Sequence, residues 1–367
     1  MASLKEVELV STGVFLPKRV NFERIEEALG PLDNASLQIK KLIGKLRAKM
    51  KDVIKTKYSY FALDEKTGQP TESNVSMATK AVKSALDKSS LKAKEIELIV
   101  LGLPIPDHLI PCSTPFIQEQ LGIPYCSEME IHSNCTAMTK TLQIAFDALR
   151  VGRYKNAIVI YSQNPSAYLT ANYYNQEQVV LENILLRWFL SDCASAVVLQ
   201  AADKVEDGIK LIDVYNDSVG TGTKMGMWLK LGAANFDLNA VIEKGEHHFG
   251  QDYRLVNKKA PIMGVESFGK LMRQIGLTAN EIDHLIITLP SYTLEATAKD
   301  IFKERLSIDP KKWESNVETK GYCGGASLIS TLDDLISEKK FVKGQKTACF
   351  AVESSKWMNG GFALEYR

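Results

Sequence analysis

Apolar positions along the chain follow two periods in turn. Residues 76–89, SMATKAVKSALDKS, place them at helical spacing, and residues 91–104, LKAKEIELIVLGLP, end in an unbroken apolar run. The first predicts an amphipathic helix and the second a strand buried on both faces. The same pair recurs later, as VESFGKLMRQIG at 265–276 followed by LTANEIDHLIITLP at 277–290. Leu, Ala, Glu, Ile, Leu and Pro stand at matching places in the two strand segments. A second pair repeats in the same order. MTKTLQIAFDALRVGRY (138–154), with Leu142, Phe146 and Leu149 on one helical face, leads into KNAIVIYSQ. In the later half, LISTLDDLISEKKF (328–341) leads into KTACFAVES.

Two repeats in one order predict an α/β chain made of two copies of one unit. The junction falls at ADKVEDG, between the strand segments ASAVVLQA and IKLIDVY. The halves are then 1–205, which carries the candidate nucleophile, and 206–367. A length of 367 residues agrees, since it exceeds what one hydrophobic core usually serves. Pseudo-twofold halves bring matching loops face to face. The loop holding Cys135 and the loop GYCGGAS (321–327) should therefore meet at the junction, each leading into a helix.

Composition narrows the function. Apolar residues make up 45%, charged residues 24%, and the net charge is +1, which gives no basis for nucleic-acid binding. Lys5, Glu6 and Glu8 interrupt any leader-like apolar core, and no stretch is long and apolar enough for a membrane span. The six cysteines are scattered without a CxxC pair, so no metal site is expected and the thiols are read as reduced, in a cytoplasmic protein.

Among those cysteines Cys135 stands apart. It lies in EIHSNCTAMTKTL, between an extended run and a helix. A thiol at a helix start feels positive potential, which should lower its pKa. Its own N–H can donate to a developing oxyanion. Cys112, Cys126, Cys193 and Cys349 are read as packing residues.

At these residues the sequence resembles the β-ketoacyl-ACP synthase III family of the thiolase superfamily. The resemblance runs through VELVSTGVFLPKRVN, PTESNVSMATKAVKSAL, TPFIQEQLGIPYCSEMEIHSNCTA, FLSDCASAVVLQA and WMNGGFALEY. It implies a thiolase-type fold with layers α-β-α-β-α. It also implies an acyl-enzyme on Cys135, formed from acyl-CoA or an acyl carrier protein as substrate, with no bound cofactor. A homodimer, or a heteromer with a homologous ketosynthase, is the implied assembly.

Both helpers of the family's decarboxylation step are replaced. An ungapped match puts Thr288 at the family's His and Tyr322 at its Asn. Thr288 is a weak donor and no base near neutral pH, so malonyl decarboxylation should be weak or absent. Transfer to an acceptor that is already nucleophilic, in secondary metabolism, is the expected reaction. A condensing enzyme with other helpers and a degenerate subunit are the alternatives. His247 and His248, in EKGEHHFGQDYR, are the candidates for a replacement base at the pocket mouth. Lys55 and Lys57, closing the basic stretch 40–57, and Arg150 and Arg153 are the candidates for carrier phosphates. The apolar segment 164–189 is read as dimer interface or acyl-tunnel lining.

Overall fold

A computed structural model describes residues 3–367, so the first two residues of the N-terminal half lie outside it. The first half supplies β1 (Glu6–Phe15), α1 (Leu37–Ile54), α2 (Asn74–Asp87), β2 (Leu98–Leu103), β3 (Ser127–His132), α3 (Ala137–Arg150), β4 (Asn156–Gln163) and β5 (Cys193–Ala202). The second supplies β6 (Ile209–Ser218), α4 (Tyr253–Ile275), β7 (His284–Thr288), α5 (Tyr292–Leu306), β8 (Trp313–Glu314), α6 (Ala326–Ser337), β9 (Lys346–Glu353) and β10 (Met358–Tyr366).

The strands form one ten-stranded sheet in the order β8-β7-β9-β10-β6-β1-β5-β4-β2-β3. That order is symmetric about its centre: β1 matches β6, β5 matches β10, β4 matches β9, and β2 matches β7. The repeated sequence segments thus occupy equivalent strands. Pairing is parallel among β3, β2 and β4, and antiparallel from β4 through β5 to β1. The second half repeats this pattern. The central join is slight, with Val7, Glu8 and Leu9 paired to Leu211, Lys210 and Ile209.

Strand alternation creates the layers. In β4, Ala157, Val159 and Tyr161 face a core shared with α3 and α6, while Ile158 and Ile160 face a core shared with α2. In the second half, Cys349 and Ala351 of β9 join α6 in that same shared core. Ala348 and Phe350 pack outward against α4 and α5. The result is α2, sheet, α3 with α6, sheet, then α4 with α5: the five-layered thiolase-type fold. Contact is close where β1 crosses α2. There a Cβ on Gly13 would lie 2.3 Å from the Ala81 carbonyl oxygen, so no larger residue fits.

Segment 164–189 folds back into its own chain. Leu169, Tyr174, Ile184, Leu186 and Trp188 are buried in one cluster with α1 residues Met50 and Ile54. Among the described residues, no helix is long and apolar enough to cross a membrane.

Candidate active site

The central helices α3 and α6 bring their leading loops together. A Cβ on Gly325 would stand 2.6 Å from the Cys135 carbonyl oxygen, so the loops touch backbone to side chain position. Cys135 directly precedes Thr136, the capping residue of α3. The Tyr322 hydroxyl lies 2.9 Å from Cys135 Sγ, and either group can donate in that contact. Thr288, the last residue of β7, is buried, and its hydroxyl has no hydrogen-bond partner.

Cys135, Tyr322 and Thr288 all line one inner chamber of about 70 Å³, walled by apolar groups such as Leu186, Phe189, Leu190, Phe249 and Leu294. Segment 164–189 therefore supplies chamber lining. A wider vestibule of about 670 Å³ adjoins it and shares Pro104, Ile105, Asn134, Met227 and Phe249. Lys140, Lys356 and Glu353 stand on the vestibule wall, as do His108 and His132.

The electrostatics depart from the expectation of an activated thiol. Burial pushes the Cys135 thiol up to about 12; the Tyr322 hydrogen bond opposes this, and the charge of Glu353 adds to it. Two physical causes overturn the lowered pKa. Apolar walls desolvate the sulfur. The helix start is also already occupied, because Glu353 Oε2 accepts from the Thr136 N–H at 3.1 Å and from its hydroxyl at 2.5 Å. Burial raises the Tyr322 and Tyr161 phenols well above their ordinary range, so both are neutral.

The other candidates lie elsewhere. His247 and His248 are buried, not poised at a pocket mouth. His247 Nε2 contacts the Tyr173 carbonyl oxygen at 3.1 Å, and His248 Nε2 accepts from the Asn175 N–H at 3.0 Å. Burial lowers His248 to about 4, with His247 adding to the effect. Neither lines the chamber or the vestibule, because aromatic packing against Tyr173 and Tyr174 draws both inward. Lys55 sits over the Tyr292 ring at 3.6 Å, and Lys57 pairs with Glu318 at 2.7 Å. Both border a separate surface depression. Arg150 ends α3 and Arg153 lies beyond it, so the length of the helix, ~20 Å, separates them from Cys135. None of these four charges reaches the vestibule.

Glu353 was not anticipated from sequence. It is the last residue of β9, matching Gln163 at the end of β4. An acidic residue closing a buried apolar strand at the junction was the available signal.

Comparison with known proteins agrees with this architecture. The family model for 3-oxoacyl-[acyl-carrier-protein (ACP)] synthase III matches residues 129–218. The β-ketoacyl-[acyl-carrier-protein] synthase III of Clostridium perfringens (strain ATCC 13124) is 26% identical over 342 residues, covering 93% of this chain and 94% of that protein. Its counterpart in Clostridium novyi (strain NT) is 27% identical over 277 residues, covering 75% and 79%. Among solved structures, the tetronic acid condensing enzyme AbyA1 superposes with a TM-score of 0.81 at 21% identity, covering 98% of this chain and 99% of that one. In sequence the chain is thus similar to β-ketoacyl-ACP synthase III proteins over most of its length, and it shares their thiolase-type fold.

Proposed function

We propose that the protein transfers an acyl group through a thioester on Cys135 to an acceptor that is already nucleophilic. The observation that carries this reading is the company of the sulfur. Cys135 shares its chamber with a phenol and an alcohol, Tyr322 and Thr288, and no histidine lines that chamber among the described residues. Sulfur attacks the carbonyl of an acyl-CoA or acyl-carrier thioester. The old C–S bond breaks, and the Cys135 proton ends on the departing thiol. Tyr322, a neutral phenol in contact with Sγ, donates to the sulfur while it carries negative charge. In the second half the acceptor attacks the acyl carbon, the bond to Sγ breaks, and the acceptor's proton returns to sulfur.

Decarboxylation of a malonyl donor needs donors aimed at its thioester oxygen, and a threonine and a sulfur-bound phenol suit that poorly. On that ground we place the reaction in secondary metabolism. With all six cysteines free, a cytoplasmic setting is the corresponding proposal. A homodimer is proposed as well. The outermost strand β3 is half-exposed, with Met129 39% accessible at the sheet edge. Light scattering tests that assembly.

The main test is intact-protein mass spectrometry after incubation with a panel of acyl-CoA and acyl-carrier donors. An acyl mass on the wild type, absent from Cys135→Ala, is expected; an unmodified protein with every donor counts against transfer. Release of carbon dioxide from malonyl-CoA would instead favour a decarboxylating condensing enzyme. One observation favours a second reading, a subunit that only shapes an active homologue's pocket: the thiol is desolvated and held un-ionised. Full activity of a complex containing Cys135→Ala would support it.

A further inference from the structure

Glu353 has no part in the transfer outlined above, yet its contacts converge on the nucleophile. The residue comes from the second half and is 1% exposed. Its Oε2 accepts from Ser133 Oγ at 2.9 Å as well as from Thr136, so it grips the Cys135 loop on both sides of the cysteine. Its Oε1 accepts from Ser355 Oγ at 2.5 Å. A carboxylate on the leading N–H of a helix is stabilised by the helix dipole and cancels the same field for its neighbours. Other ionisable groups face this region. Tyr322 approaches from the loop before α6 and Tyr161 from β4, both neutral. Lys140 of α3 reaches Ser133 Oγ at 2.7 Å, with Ser133 between it and the carboxylate. Asp107, His132 and Lys356 stand further out on the vestibule wall.

We propose that Glu353 is a positioning residue that, beside burial, keeps Cys135 a thiol of low acidity, by occupying the start of the nucleophile helix and cancelling the positive field that favours the thiolate. The consequence rests on the transferase reading: a thiol of low acidity is a poor leaving group. An acyl group on Cys135 is then slow to be lost to water and waits for a strong acceptor.

The test uses no acyl donor. Only the thiolate reacts with iodoacetamide, so alkylation of Cys135 is followed by peptide mass spectrometry from pH 6 to pH 10. Glu353→Gln should move the profile to lower pH and raise the rate at pH 8 on the order of tenfold, a shift of on the order of one pH unit. Glu353→Asp, which keeps the charge, should stay near the wild type. Loosening of the loop alone would raise the rate in Glu353→Asp as much as in Glu353→Gln, and that result, or an unmoved profile, overturns the proposal. Should Glu353→Gln fail to fold, the smaller neutral Glu353→Ser must show the same shift. An acyl donor that never loads would sink the transferase reading, whereas the alkylation profile decides the role of Glu353.

Discussion

Tyr322 shows how one side chain sets the surroundings of a nucleophile. Its hydroxyl is the polar group in contact with the Cys135 sulfur, and its ring lines the chamber. Removing the hydroxyl but keeping the ring separates these roles. In Tyr322→Phe the sulfur loses the hydrogen bond that opposes the rise in its pKa, so thiolate forms even less readily. Acyl loading in a single turnover should slow by about tenfold, matching the ~1.5 kcal/mol of a hydrogen bond to a charged partner. Apparent donor affinity should hold, because the apolar walls are unchanged. A loading rate equal to that of wild type would mean that Tyr322 does not act on the sulfur.

The meeting of the loops before α3 and α6 depends on a missing side chain. Gly325 faces the Cys135 carbonyl oxygen at a distance that a methyl group cannot share. Gly325→Ala must push one loop back, at a cost of about 1–3 kcal/mol. The displaced backbone carries the nucleophile, so acyl loading should fall much further than thermal stability. Loading followed by mass spectrometry, beside a melting curve, checks this; equal loading would show that the loops can part without harm. The contact was legible in sequence, because helix and strand periods repeat in the same order in both halves and equivalent loops must then oppose. Thr288 and Tyr322 were legible from the family resemblance, and the segment that lines the chamber from its richness in large apolar residues. The ionisation of Cys135 was not, because it depends on which groups from distant strands fill the space around it. Glu353 escaped notice as a strand-end carboxylate, a position usually given to solvent. His247 and His248 misled because their polar neighbours in EKGEHH suggest a surface loop, whereas Tyr173 and Tyr174, far earlier in the chain, bury them.

Two buried groups, far apart in sequence, give the folded chain a concealed response to acid. Asp192 is fully buried and accepts from the Ala62 N–H at 2.6 Å and from the Ser166 N–H and hydroxyl at 2.9 and 2.6 Å. Desolvation still prevails and raises it from 3.8 to about 6. Between those values the folded state binds the extra proton, so this group's contribution to stability falls as pH rises from about 4 to about 6. His248 works in the opposite sense. Burial lowers it from 6.5 to about 4, so the unfolded state binds the extra proton and stability rises with pH across nearly the same window. Each effect amounts to ~3 kcal/mol, so the two nearly cancel in the intact protein. Replacing either one should expose the other. Urea unfolding at several pH values should show stability climbing with pH in Asp192→Asn and declining with pH in His248→Gln, while the wild type stays comparatively level. The slope is the quantity to compare, since Asn offers one acceptor oxygen where Asp offers two and will lower stability throughout. Parallel curves for all three proteins would mean that neither group changes protonation on folding, whereas opposite slopes require each to be coupled to unfolding of the whole chain.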